Sequence, residues 1–300
     1  METTICFLND KILVLSGMSK GNNVYINCYK TFELSEGSII NGVITNNYSI
    51  KEVLNKIKAD KELYFKKVRI VIDSSLIYIK KAVAPKISQS KLNIFVENEF
   101  VGLDKKNNEL IFDYSIINTN NQTKRNINVV CYATEKSLVK SFIDIFAEEK
   151  INILSIDIST NCIIKFASCI KSLAKKTYVI ANVDRNNISL ILFVDNSYYY
   201  STRARLLSDI GTEDFYQEIS SQISSIVQFN KSQRNGFDIE EAYICGLTDI
   251  ENSICSRYIS DLKIRNSSTI IFNSIITYSK KMQSMSATDY VYNIGTLLGK

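Results

Sequence analysis

One order of patterns occurs twice along this chain of 300 residues, and the repetition leaves few folds open to it. In the first copy, Thr3–Leu8, Lys11–Leu15 and Val24–Phe32 read as successive strands, with Asn9-Asp10 as a tight turn. A helix over Ser49–Ala59 follows. Its start carries a capping box, Ser49 with Glu52 three residues on, and Ile50, Val53, Leu54 and Ile57 form one apolar face. Val68–Ile72 is then a continuous β-rich run that suits a buried parallel strand. The second copy has Tyr178–Val183, Ile188–Val194 and Tyr198–Thr202 as strands, a helix, and the strand Ala242–Cys245. Its helix starts after Gly211 at Thr212, with Glu213 and Asp214 where the macrodipole favours acids, and with Phe215, Ile219, Ile223, Ile226 and Val227 as its stripe.

Three antiparallel strands, a helix and a parallel strand, repeated, are the plan of the α/β actin-like (ribonuclease H-like) superfold. Between the copies lies material that the duplication does not need. Leu76–Ala84 reads as a strand ending at Pro85, Ser88–Phe100 as a helix, and Glu109–Ile117 and Ile127–Ala133 as strands, joined by the polar loop Asn118–Asn128. A helix over Glu135–Glu149 and a strand over Ile153–Ile156 lead back. The expected organisation is a first lobe over 1–156 with an inserted small α+β subdomain at about 74–126. A second lobe covers 157–284, and a C-terminal helix over 285–300 returns to the first lobe.

Composition removes whole classes of chemistry. No histidine is present, so Ser-His-Asp and Cys-His nucleophiles, HExxH zinc sites and histidine proton shuttles are excluded. The seven cysteines show no CxxC spacing and sit mostly in apolar runs, as small core residues of a reducing compartment. The net charge of +5 is spread over isolated doublets such as Lys80-Lys81 and Lys175-Lys176, which read as solvated faces; no nucleic-acid partner is expected. The start Met1-Glu2-Thr3-Thr4 is acidic where a signal peptide is basic, and no apolar stretch approaches the roughly 18 residues of a membrane span. These features point to a cytoplasmic protein.

Several segments resemble one family. Ser38-Ile39-Ile40-Asn41-Gly42-Val43-Ile44 is similar to the x-x-Gly-x-Ile element after the third strand of the PilM family of type IV pilus assembly. Val83-Ala84-Pro85-Lys86-Ile87-Ser88-Gln89-Ser90-Lys91-Leu92 resembles its Leu-Pro-x-Met-Ser-x-x-Glu-Leu segment, and Phe112-Asp113-Tyr114 its Asp-Tyr strand. Val129–Ala133, Ser137-Leu138-Val139 and Ile153–Asp157 resemble its strand, helix and x-x-Asp return. Ser201-Thr202-Arg203 is similar to its Ser-Arg turn, and Tyr292-Asn293-Ile294-Gly295-Thr296-Leu297-Leu298-Gly299 to its closing helix. The resemblance covers essentially the whole chain. It implies two actin-like lobes with an inserted subdomain as in FtsA, ATP between the lobes, and a groove on the first lobe and its insertion for the short cytoplasmic tail of PilN, a single-span inner-membrane protein.

The nucleotide motifs of that family are degenerate here. Actin-like sites hold phosphates with Gly-containing hairpins, where backbone N–H groups come close, and an Asp orients the waters of magnesium. The first hairpin is only Leu8-Asn9-Asp10-Lys11, without glycine. In the second, the family's Asp-x-Gly falls on Asn182-Val183-Asp184. Asp184 then meets the γ-phosphate, and two like charges 4 Å apart at an effective dielectric of about 20 repel by roughly 4 kcal/mol. Gly211 remains, and one glycine of the adenosine loop survives as Gly246. Asn9, Asp10, Asn182, Asp184, Gly211 and Gly246 thus mark a modified cofactor site or ordinary turns, with ATP and magnesium doubtful ligands. Pro85, Ile87, Asp113 and Tyr114 stand outside that site and either pack the insertion or border the tail groove, where an extended peptide adds to a strand edge or lies in an apolar trough. The expected function is a non-hydrolysing cytoplasmic scaffold. It is recruited to the inner membrane by a PilN-like tail and linked to the pilus motor ATPase. An ATP-controlled switch is the alternative; a ribonuclease-H-like nuclease lacks its acidic residues on Thr3–Leu8.

Overall fold

The computed structural model describes residues 1–63, 65, 67–103, 109–117, 125–234, 236–266, 273–279 and 288–298. Most of the polar loop expected at 118–128, and Gly299 of the closing motif, lie outside them. The chain divides into two units: Met1–Lys165 with Thr277–Gln283 and Tyr292–Lys300, and Phe166–Ile276 with Ser284–Val291.

In the first unit, β1 (Glu2–Phe7), β2 (Lys11–Lys20) and β3 (Asn23–Glu33) form an antiparallel meander. A short hairpin of β4 (Ile39–Ile40) and β5 (Val43–Ile44) precedes α1 (Asn47–Ala59), and β6 (Val68–Ile72) then pairs in parallel with β1. Both β1 and β6 are covered on their two faces, which is why Ile5-Cys6-Phe7 and Ile70-Val71-Ile72 run without polar alternation. The helix start differs from the sequence expectation. Asn46, not Ser49, caps α1: its side chain accepts from the Ser49 backbone N–H at 3.2 Å, and Glu52 pairs with Lys56 instead. Asn and Ser cap about equally well, and the cap that forms, Asn46, adds residues 47 and 48 to the helix.

The insertion is a sheet of three strands in the order β7-β9-β8, from β7 (Tyr78–Pro85), β8 (Leu110–Ile117) and β9 (Asn126–Glu135), with α2 (Gln89–Asn98) on one face. Leu92, Val96 and Phe100 pack there against Ala84, Val129, Cys131 and Ala133. The chain returns through α3 (Lys136–Glu148), whose Phe142 and Phe146 meet Phe7 edge-on at 5.0 and 5.9 Å, to β10 (Ile153–Ile158) beside β6. A further helix, α4 (Ser159–Cys169), follows; the sequence reading had no element there.

The second unit repeats the plan with β11 (Tyr178–Asp184), β12 (Asn187–Val194) and β13 (Ser197–Arg205). Then come α5 (Glu213–Ser232), β14 (Glu241–Cys245) parallel to β11, α6 (Asp249–Ser260) and β15 (Arg265–Asn266). Thr212 caps α5 as expected from the sequence, accepting from the Phe215 N–H at 3.3 Å. Two terminal elements belong with the first unit's sheet and core. β16 (Ile276–Tyr278) extends that sheet beside β3, and in α7 (Val291–Leu297) Asn293 donates to the carbonyls of Thr4 and Leu13 at 3.1 and 3.0 Å. A Cβ on Gly295 would stand 2.1 Å from the Cys162 carbonyl oxygen, so only glycine lets α7 lie against α4.

Candidate functional site

The free face of the three-stranded sheet carries the site. Successive residues of a strand face opposite sides. On β8, Phe112 and Tyr114 therefore join the apolar cluster under α2, while Ile111, Asp113 and Ser115 face the other way. Tyr132 and Thr134 of β9 and Ile77, just before β7, share that second face. Val139 of α3, Ile156 and Asp157 of β10, and Asn161 of α4 complete a pocket of about 150 Å³. An apolar cavity of about this volume holds one benzene-sized group.

Its floor is a polar network built at the join of β10 and α4. Asp157 is 8 % exposed, and its Oδ2 lies 2.6 Å from the Lys165 ammonium. Its Oδ1 accepts from the Ile158 N–H at 2.9 Å and from Asn161 Nδ2 at 2.8 Å. Asn161 Oδ1 in turn accepts from Ser115 Oγ at 2.8 Å and from the Tyr132 hydroxyl at 3.2 Å. The chain of bonds ties the insertion's sheet to β10 and α4 and leaves their polar groups satisfied, which a buried carboxylate requires. Beneath it the Cys162 thiol is pushed well up by burial and by the Asp157 charge, so it stays protonated and inert. Asp113 is exposed at the mouth, where its Oδ1 accepts from the Tyr114 N–H at 2.8 Å.

Of the residues singled out in the sequence, Asp113 lines this pocket. Tyr114 packs on the opposite face of the sheet. Pro85 pairs with Asn126 at the far end of β7, four residues beyond Lys81, which stands across Val130 from Ser115, so Pro85 is about 13 Å along the strand from that edge of the pocket and Ile87 lies beyond it. Asp157, Asn161 and Lys165 were not expected as site residues. Their signal was a polar residue every fourth position in the apolar run 153–167, one face of a helix led by a strand end.

The positions that the sequence reading associates with a nucleotide have structural neighbours of their own. Asn9 and Asp10 form the two-residue turn between β1 and β2; Asn9 Oδ1 accepts from the Asn41 N–H at 2.9 Å, and the Asp10 carbonyl from the Leu34 N–H at 2.7 Å. Gly42, with φ +79°, lies so close to Asp73 and Ser74 that a Cβ would come within 2.6 Å of Ser74. In the second unit Asn182 lies inside β11 between Ser189 and Cys245, and Asp184 ends that strand. Gly246 adopts φ +82° with its would-be Cβ 1.9 Å from the Val183 carbonyl oxygen, so strand packing alone demands glycine there. Gly211, at φ +84°, faces open space before the Thr212 cap.

Comparison with known proteins places this geometry. The sequence pattern of the family described as type IV pilus assembly protein PilM matches residues 9–225. A comparison with curated proteins found no match. Among solved structures, a PilM-PilN type IV pilus biogenesis complex is similar at a TM-score of 0.77 and 9% identity, covering 99% of this chain and 97% of that one. A Bacteroides thetaiotaomicron protein with an actin-like ATPase fold matches at 0.53 and 13%, over 100% and 96% of the two chains. The cytoplasmic domain of EpsL, an inner-membrane component of the Vibrio cholerae type II secretion system, matches at 0.51 and 7%, over 100% and 95%. These likenesses show an actin-like fold, and the match over residues 9–225 makes this chain a member of the PilM family of type IV pilus assembly proteins.

Proposed function

We propose that the chain is a scaffold of type IV pilus assembly that holds the cytoplasmic tail of a PilN-like inner-membrane protein in the pocket between β8, β9, β10 and α4. The observation that carries this reading is the pocket itself, with apolar wall residues such as Ile77, Ile111, Val139 and Ile156, a floor made by the Asp157–Asn161 network and Asp113 at its mouth. The solved PilM-PilN complex of the same fold supports a PilN-like partner. Among the described residues no strand pairs with the outer edge of β8, so an extended tail has backbone partners there while one side chain fills the pocket. Through that tail the protein is held at the cytoplasmic face of the inner membrane, where it passes assembly information toward the pilus motor. No helix among the described residues is long and apolar enough to cross a membrane, which fits recruitment by a partner.

The reading needs no nucleotide. The β1–β2 turn has no glycine whose N–H groups could cradle a phosphate, and the side chain of Asn9 is occupied in bracing Asn41. The test is a titration of a labelled PilN-like tail peptide into the full chain, with and without Mg-ATP, followed by fluorescence anisotropy. Equal binding in both is the expected result. Binding that needs Mg-ATP would replace the scaffold with a switch, and no binding in either would overturn the pocket's assignment.

A further inference from the structure

The far end of the three-stranded sheet carries a second surface that the pocket does not use. β7 ends where Pro85 pairs with Asn126, and the Lys86 N–H donates to the Arg125 carbonyl at 2.8 Å, which sets these two cations side by side. Ile87 follows, 37% exposed, and Ser88 begins α2. Leu92 and Val96 are the buried side of that helix, so Lys91 and Ile94, three residues apart, share its outer side, with Ile94 59% exposed. The patch is therefore Lys86, Arg125, Lys91, Ile87 and Ile94.

Its cations have no carboxylate partner among the described residues. Several lysines elsewhere in the unit are tied to carboxylates: Lys30 to Asp60 and Glu62, Lys51 to Glu148, Lys58 to Glu149, Lys80 to Glu99. Among the described residues Lys86, Lys91 and Arg125 have no such partner, and the first turn of α2 contains no acid. Glu97, six residues beyond Lys91, is the next acidic position on the helix. Exposed aliphatic side chains set among free cations suit one kind of surface. The cations are drawn to anionic headgroups, and the aliphatic groups enter the boundary with the acyl chains. A nucleic acid would use the cations but find no aromatic platform in this patch for its bases.

We propose that this tip of the insertion rests on an anionic membrane surface. The contact lies outside the tail pocket, about 13 Å from its nearest edge along β7 by strand spacing, and adds a second, weak hold to the one the tail supplies. Each cation contributes roughly a factor of five in partitioning at such a surface, so three contribute about a hundredfold.

Co-sedimentation of the full chain with vesicles tests this, using phosphatidylcholine alone and phosphatidylcholine mixed with phosphatidylglycerol. The expected result is adsorption to the mixed vesicles only, weakened by salt. The triple variant Lys86→Glu, Lys91→Glu, Arg125→Glu should lose about a hundredfold, and Ile87→Asn with Ile94→Asn should lose part of the adsorption at unchanged charge. A control triple of the same charge change on other exposed positions, Lys20→Glu, Lys171→Glu, Lys231→Glu, should stay within a few-fold of the parent. Equal losses in both triples would show a net-charge effect and overturn the assignment, as would no adsorption at all, or retention of an RNA oligonucleotide without adsorption to vesicles. Tail-peptide titration of each variant reports folding and keeps failure of this contact separate from failure of the pocket.

Discussion

The two units share one plan, yet they handle a buried carboxylate in opposite ways. In the second unit Glu241, 3% exposed at the start of β14, is enclosed by its partners: Lys176 reaches it at 3.0 and 3.1 Å, Arg265 at 3.1 Å, and the Tyr243 hydroxyl bonds it directly. Tyr178 and Phe193 stack beside this cluster at 4.8 Å and close it. In the first unit Asp157 has the same kind of cation, Lys165, but its remaining partners form the floor of an open pocket. One unit has used its buried charge to lock a sheet, and the other has left it beside a cavity. The difference follows from the insertion. β14 passes straight into α6 through the Thr248–Glu251 capping box, whereas β6 passes into β7, α2, β8 and β9, whose free face needs a second wall.

The largest effect that could break this contrast is expected at Glu241. Removing one partner of a buried ion pair costs about 3 kcal/mol, so Glu241→Gln should lower stability by about that much in urea unfolding. The pH dependence sharpens the point. Burial raises the Glu241 carboxyl, but the hydrogen bonds from Tyr243 and Lys176 and the nearby charges outweigh it, and the group is held below its ordinary value. Its contribution is therefore present above the unfolded carboxylate range, near about 4.3, and lost as the pH falls through the folded value. Glu241→Gln should flatten this acid limb; an unchanged limb would show that the cluster is not a lock.

Asp157→Asn should cost less, about 1.5 kcal/mol, because Asp157 has a single cation partner where Glu241 has two and the Tyr243 hydroxyl. A cost equal to that of Glu241→Gln would erase the distinction between the units. The smallest effect tests their likeness instead. The helices of the two copies both begin on a side chain that accepts a backbone N–H, Asn46 for α1 and Thr212 for α5. Asn46→Ala and Thr212→Ala should each cost about 1 kcal/mol, while Ser49→Ala, at the position the sequence suggested as the cap, should cost less.

The duplicated core was legible because each element announces itself locally. The stripe of Phe215, Ile219, Ile223 and Ile226 is a helix period, and the runs at 68–72 and 178–183 are buried strands. The start of α1 was misread by a few residues because Ser49 and Glu52 offer a plausible capping box, while Asn46, an equally good cap three residues earlier, is the one used. α4 was missed because Ile163, Ile164, Phe166 and Ala167 lie in an apolar run that helix and strand share, where periodicity cannot decide. The pocket was legible only at Asp113. Its other polar residues, Ser115, Tyr132, Asp157 and Asn161, come from three strands and a helix. Only the pairing of β8 with β9 and the placement of α4 bring them together, and no local spacing encodes that meeting.

The contrast between the units reduces to one comparison of affinities. A labelled PilN-like tail peptide would be titrated into the parent chain, into Val139→Trp, which fills the pocket from α3, and into Glu241→Gln, all under conditions where each is folded. The expected result is that Val139→Trp raises Kd by more than about tenfold, a loss of about 1.4 kcal/mol, while Glu241→Gln stays near the parent. Equal affinity for the parent and Val139→Trp, or a loss confined to Glu241→Gln, would contradict the assignment of recognition to the first unit.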